Sequence, residues 1–359
     1  MPAPVRGIAV RRSRSTPRPG TSQAPSARRL PGTSTRTVDS NRPTTFGGGT
    51  RSWAPETVLS SIADLASTRP ITCWRWRSPD FPTHGCTPAP GATGPTATRR
   101  WPRRILLAGM SDRRSIGYAI AQEVQREGAE LLLTSFGRMM SITQMTAKKL
   151  SPVPEILEMD VTKASDIDSA VEATSKRWDR LDGLVHSVAF APADALGGKF
   201  LTTPWESVAT TLQVSAFSFK ELARGFLPLM REHGGSMVTL DFDNSTSAWP
   251  KYDWMGVSKA ALESVTRYLA RDLGRYKIRV NAVCAGPLAT LAASAIPGFK
   301  DFEGEWEKRA PLGWSLQDRS PVGRAVAVLL SDHLDMTTGE LLHVDGGYHA
   351  MGAELPPLD

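Results

Sequence analysis

From residue 104 onward, short apolar runs alternate with amphipathic segments, and this alternation constrains the fold more than any other feature of the chain. The runs are RILLAG (104–109), ELLLTSF (130–136), PEILEMDV (154–161), LDGLVHSVAF (181–190), SMVTLDF (236–242), IRVNAVCAGP (278–287) and GELLHVDGG (339–347). Between them, apolar residues recur at helical spacing: Ile116, Ile120 and Val124 in 115–129, then Ile167 and Val171 in 165–178. A polar helix is expected up to Leu150, a long one over 204–230, and further helices over 254–275 and 320–331. Strands that are apolar on both faces, set between amphipathic helices, predict an α/β fold. The expectation is a Rossmann-like, doubly wound parallel sheet of about seven strands with helices on both faces. Such a sheet binds ligands beyond the carboxyl ends of its strands, where strand order reverses.

The first hundred residues do not share this pattern. Residues 1–104 hold 17 arginines, no lysine, four acids and 15 of the 27 prolines. Their net charge is therefore +13, and the remainder of this +7 chain is acidic at −6. The basic balance thus belongs to the leading segment and argues against nucleic-acid binding by the main domain. Its composition fits a dispensable extension of the kind that GC-rich DNA yields outside its proper frame or start, a disordered tail, or an Arg-rich targeting segment. The expected organisation is an Arg/Pro/Ser/Thr-rich extension over 1–103, a Rossmann-type domain over 104–352 and a C-terminal tail over 353–359. Cys73, Cys86 and Cys284 have neither metal spacing nor a disulfide framework, which fits a reducing, cytoplasmic setting and no metal. No run approaches the ~18 apolar residues of a membrane span.

After the first strand stands GMSDRRSIG. Gly109 allows a tight turn, and Ser115 is placed to cap the helix opening at Ile116, leaving free N–H groups and the helix dipole facing a pyrophosphate. An ordinary capped strand–helix turn would look the same. Asp160, at the end of the third strand beside Val161, can meet an adenine edge or serve a turn. Ser187, Val188 and Ala189 end the fourth strand with small residues that admit a cofactor ribose. His186 reads more as a satisfied core histidine than as a catalyst. Pro287 and Leu288, with Thr290 beyond them, are placed to wall a nicotinamide. At the end of the second strand there is no acid for the ribose hydroxyls; Phe136 can stack on adenine, and Arg138 can tolerate a 2′-phosphate or be a surface residue.

In KYDWMGVSK (251–259) a tyrosine and a lysine stand seven apart, and the position one helical turn after Tyr252 is Gly256. Seven helical residues span ~10.5 Å, too far for the two to touch along one straight helix. Pro250 puts Tyr252 in a loop where the helix begins. The two need not form a proton-transfer couple: Lys259 can hold a nicotinamide ribose while Tyr252 turns to a substrate carbonyl.

These motifs resemble the NADH-dependent enoyl-acyl-carrier-protein reductases, a divergent branch of the short-chain dehydrogenase/reductase superfamily, and most closely their actinobacterial, mycobacterial form. The resemblance covers about 104–352 through GMSDRRSI, HSVAF, LDFD, YDWMGVSKAALES, AGPLATLAASAI, RAPLGW and HVDGG, in that order. It implies hydride transfer from NADH, with NADPH less favoured, to the β-carbon of a trans-2-enoyl thioester of type II fatty acid synthesis. The substrate would ride on acyl carrier protein and the enzyme would be a homotetramer. The resemblance also implies that Tyr252 hydrogen-bonds the thioester oxygen, that Lys259 holds the cofactor and that Phe242 walls the site, although Phe242 also reads as a strand-end core residue. It places Gly109, Ser115, Ile116, Phe136, Asp160, Val161, Ser187, Val188, Ala189, Pro287, Leu288 and Thr290 along the cofactor, and Ala292, Ala293, Ile296 and Phe299 along the acyl chain. Two stretches depart from the pattern: 243–252 is one residue longer, and the loop from Ile296 to Trp306 is shorter than in the mycobacterial form. A carbonyl or alcohol dehydrogenase of the wider superfamily would carry its Tyr and Lys four apart, and a non-catalytic nucleotide-binding protein would have lost the pair.

Overall fold

The computed structural model describes residues 101–242, 247–299 and 301–355, giving only the backbone at 301–303. The expected extension therefore lies, apart from 101–103, outside the described residues, as do the last four residues of the expected tail. In chain order the elements are β1 (Arg104–Ala108), α1 (Ile116–Arg126), β2 (Glu130–Ser135), α2 (Met139–Ala147), β3 (Glu155–Glu158), α3 (Ala164–Arg177) and β4 (Gly183–His186). Then follow α4 (Trp205–Leu212), α5 (Ser218–Phe226), β5 (Gly235–Asp241), α6 (Asp253–Leu273), β6 (Ile278–Ala285), α7 (Asp301–Arg309), α8 (Ser320–Leu330) and β7 (Leu341–Val344).

The strands form one sheet in the order β3-β2-β1-β4-β5-β6-β7. Every pairing is parallel. Side chains alternate between the faces of a strand, so each strand feeds two cores. Ile105 and Leu107 of β1 join α1 and α8 through Ile120, Val124, Val322 and Val326. Leu106 and Ala108 face the other way, onto α3, α5 and α6 through Ile167, Phe219, Phe226 and Leu262. This is the doubly wound arrangement expected from the apolar alternation. The order reverses between β1 and β4, which pair from Ile105↔Gly183 to Ala108↔His186. The crevice beyond these two strands is where such sheets hold ligands.

Two expectations need correction. The stretch 204–230 is not one regular helix: α4 and α5 are joined by a π-helical turn over Gln213–Phe217. There Ser215 Oγ accepts from Phe190 N and donates to Phe190 O, both at 3.0 Å, so the helix widens to keep this hydroxyl on the loop after β4. The stretch Ile296–Trp306 is not wholly a loop, because α7 begins at Asp301. Its anchor is Trp306, stacked on Tyr348 with ring centroids 3.9 Å apart, a contact too distant in sequence to register as periodicity.

The fully buried Phe226 of α5 tests the second core. Phe226→Ala is expected to lower unfolding free energy by about 3–5 kcal/mol, measured by chemical denaturation.

Candidate active site

At the reversal point β1 ends in Gly109, and Ser187 N donates to Ala108 O at 2.8 Å. A Cβ on Gly109 would sit 2.1 Å from Ser187 O, and its φ is +100°. Only glycine lets the two strand ends run this close. The loop then folds on itself: Arg114 Nε meets Asp112 at 2.8 Å, and Ser115 Oγ donates to Asp112 O at 2.7 Å. Ser115 is the N-cap of α1, accepting from Tyr118 N at 3.2 Å. The first turn of α1 carries no acid, so the positive end of its dipole is left for an anion.

The other expected cofactor residues lie along the same edge of the sheet. Phe136 follows β2 with its ring about half exposed, at 47%. Asp160 is engaged in a turn, its carboxylate accepting from Thr162 N at 3.0 Å and Thr162 Oγ1 at 2.7 Å, beside the buried Val161. Ser187 and Val188 are half-buried and Ala189 exposed after β4. Pro287 and Leu288 are buried after β6, where Trp314 Nε1 donates to Pro287 O at 2.7 Å. Thr290 is half-buried and turns the chain, its Oγ1 accepting from Ala293 N at 3.0 Å.

His186 is enclosed. Its Nε2 lies 2.9 Å from Ser218 Oγ, which also donates to Val214 O at 2.7 Å. On the other side of the ring Nδ1 lies 2.8 Å from Thr239 Oγ1, which is also 3.3 Å from His186 O. Burial, and secondarily the charge of Lys259, pushes its pKa down to about 3. The neutral ring ties β4 to β5 and α5 and is not an acid–base group.

Tyr252 immediately precedes α6 and is 8% exposed, its ring edge-on to Phe242 at 5.3 Å. It is gripped by strained neighbours: Lys251 and Asp253 both have positive φ, at 64° and 43°. The 197–200 segment holds that geometry. Gly197 N donates to Lys251 O at 2.9 Å, and the Asp253 carboxylate accepts from Gly198 N and Lys199 N at 2.6 and 3.1 Å. Lys259, 7% exposed, points from α6 to the end of β5 and donates to Leu240 O at 2.7 Å. Burial pulls the lysine pKa down, while Asp241 and then Cys284 oppose that shift. Burial first, then Asp241 and Cys284, holds the Tyr252 phenol well above its ordinary pKa. Tyr252 is therefore a proton donor across the whole neutral range.

Around Tyr252 the structure gathers an aromatic wall that the sequence did not single out. Trp249 lies 5.4 Å from Phe242, 5.1 Å from Trp306 and 5.8 Å from Tyr348 by ring centroids. Ile296 packs against this cluster and against the one containing Tyr252, and Phe299 packs against the first. Ala293 is buried nearby in the chain, whereas Ala292 is exposed and outside both clusters. The signal for the wall was the aromatic residues just before Tyr252 and around RAPLGW and HVDGG, but it carried no period. Among the described residues no group of three His, Cys, Asp or Glu side chains could hold a metal, and no helix is long and apolar enough to cross a membrane.

A parallel sheet with a glycine turn at its reversal, and at its carboxyl edge a lysine within a helix and a tyrosine just before it, defines a dinucleotide-binding oxidoreductase domain. Residues 109–349 match the family model described as enoyl-(acyl carrier protein) reductase. The NADH enoyl-acyl-carrier-protein reductase of Mycolicibacterium smegmatis is 40% identical over 259 residues, covering 68% of this chain and 95% of that protein. The protein of the same name from Mycobacterium avium is 37% identical, covering 68% and 95%. The NADH enoyl-acyl-carrier-protein reductase 1 of Rhizobium meliloti is 38% identical, covering 70% and 91%. The chain belongs to the enoyl-acyl-carrier-protein reductase family.

The buried neutral histidine has a consequence for stability. The unfolded chain takes up a proton at His186 below about pH 6.5, and the folded chain does not until about pH 3. Stability present at pH 7 is therefore lost as pH falls, by about 1.4 kcal/mol per pH unit between roughly pH 6 and 4 from this group. Urea unfolding at pH 7 and pH 5 should show this loss in the parent and a smaller one in His186→Gln.

Proposed function

We propose that the chain reduces trans-2-enoyl thioesters of type II fatty acid synthesis with NADH, delivered on acyl carrier protein. The observation that carries this reading is the buried pair of Tyr252, at the N-cap of α6, and Lys259, seven residues on and bonded to the end of β5.

The site suits the cofactor. The turn at Gly109, the acid-free start of α1 and the half-exposed Phe136 supply places for diphosphate and adenine. NADH, when bound, supplies the hydride that adds to the β-carbon of the enoyl group. Lys259 Nζ would hold the nicotinamide ribose, and Pro287, Leu288 and Thr290 would line the nicotinamide. Tyr252 donates its O–H to the thioester oxygen, where negative charge develops; a hydrogen bond that strengthens as charge appears lowers the barrier. Its raised pKa keeps that hydrogen in place. Phe242, held edge-on to Tyr252, restricts the phenol to the substrate side. The turn-bound Asp160 acts through its position beside Val161 at the adenine end. NADH is favoured over NADPH because nothing near β2 beyond Arg138 invites a 2′-phosphate.

The homotetramer and cytoplasmic setting of the family reading extend to this chain. Support for association comes from large aromatics left exposed on α4, the π-helical turn and α6, namely Trp205 at 68%, Phe217 at 50% and Tyr268 at 59%.

NADH consumption with crotonyl-CoA, against a 3-ketoacyl thioester as control, separates this reaction from carbonyl reduction. Tyr252→Phe should lower turnover roughly 100- to 1000-fold while sparing NADH affinity, because the lost hydroxyl acts on the substrate oxygen. Lys259→Met should instead weaken NADH binding. The reverse pattern would overturn the role assignment. Acyl length provides a second test. Each buried CH₂ is worth about 0.8 kcal/mol, but only while wall remains to cover it. Ala293, Ile296 and Phe299 sit in a short segment closed by α7 and the aromatic wall. Specificity constants across a series of enoyl thioesters should rise and then level off at medium length. A steady climb past about 16 carbons, several-fold per CH₂, would contradict this.

A further inference from the structure

Helix α8 begins where three segments of the site meet. It crosses α1 closely, because Gly323 has no side chain to separate them: a Cβ there would lie 2.9 Å from Ala119 O. One turn earlier, at the N-cap of α8, stands Arg319. Its Nε donates to Arg114 O at 2.9 Å, Nη2 donates to Ala289 O, and Nη1 donates to Gln317 O. Arg114 precedes the cap of α1 in the glycine loop, and Ala289 lies between Leu288 and Thr290. The segment before Arg319 is already bound to the same stretch, through Trp314 Nε1 to Pro287 O at 2.7 Å and Ala289 N to Leu316 O at 2.9 Å.

Three carbonyls on three stretches of chain are thus held by one planar guanidinium. Its nitrogens form a rigid fork of donors, which a lysine ammonium does not reproduce. The loop 112–115 is closed internally by Asp112, so a tether on Arg114 O holds the loop as a unit.

We propose that Arg319 is a positioning residue that ties the loop before α1 to the segment after β6 and thereby sets how long a bound dinucleotide is held. The inference rests on the functional reading above, which places diphosphate at the start of α1 and nicotinamide against Pro287, Leu288 and Thr290. A dinucleotide lying along the carboxyl edge of the sheet runs between the two tethered segments. Its escape is easiest when they part, and Arg319 resists that parting. The side chain touches neither cofactor nor substrate in this scheme, so chemistry at saturating NADH depends on it less than binding does.

The test uses the full chain and its Arg319→Met and Arg319→Lys variants. Equilibrium binding and dissociation of NADH are read from nicotinamide fluorescence, turnover from crotonyl-CoA reduction, and stability from Tm. Arg319→Met should weaken NADH binding about tenfold, chiefly through faster dissociation. Turnover at saturating NADH should fall by a smaller factor, and Arg319→Lys should recover part of the affinity. NADH affinity within twofold of the parent in Arg319→Met would overturn the proposal. So would an equal fall in affinity, saturated turnover and Tm, the mark of general loosening. A parent chain that binds NADH but does not reduce the enoyl thioester would defeat the functional reading alone, since the binding comparison still decides the tether.

Discussion

Everything at this site depends on how closely β1 and β4 run at their carboxyl ends. The hydrogen bond from Ser187 N to Ala108 O continues the sheet one step past its last paired residues, and Gly109 makes that step possible. With any side chain at 109 the strand ends would have to separate. The separation would pass to the start of α1 on one side and to the loop 187–190 on the other, which are the two walls of the crevice. The enclosed His186 holds the second wall from behind. It ties β4 to β5 through Thr239 and to α5 through Ser218, with no charge to solvate.

The wide spacing of Tyr252 and Lys259 makes sense against this frame. Lys259 lies within α6 and reaches the end of β5, so it is fixed by the sheet. Tyr252 stands just outside the helix, between two residues in left-handed conformations, so it is fixed by a loop. Backbone strain of this kind persists only where the surroundings over-determine it. The bonds from 197–200 to Lys251 and Asp253, with the stacking of Trp254 on Phe200 at 4.7 Å, do so here. One residue is placed by regular structure and the other by a clamped irregularity, so their positions are set independently.

The sheet and its helices were legible because burial on both faces writes unbroken apolar runs, as in RILLA and IRVNAVCA. The residues proposed for the cofactor were picked out for a related reason: most of them sit just beyond the ends of those runs. The aromatic wall was not. Trp249, Trp306 and Tyr348 come from three irregular or weakly patterned stretches, and only the tertiary fold brings them together. Helix α7 escaped for the same reason, since Trp306 packs on Phe242 and Tyr348, residues distant in sequence. The π-helical turn was hidden because its cause, the double bond between Ser215 and Phe190, joins residues 25 apart.

That turn carries a further meaning. A π-helical turn is what one surplus residue produces inside a helix. Each residue of an α-helix advances the side chains by about 100°. Deleting one residue from 213–217 would leave a more regular helix and yet swing Ser215 away from Phe190, or Ser218 away from His186. The two serines can face the strand end together only because the helix between them is over-long. At this place the number of residues, as much as their identity, carries the information, and a change that improves the helix would dismantle the site behind it.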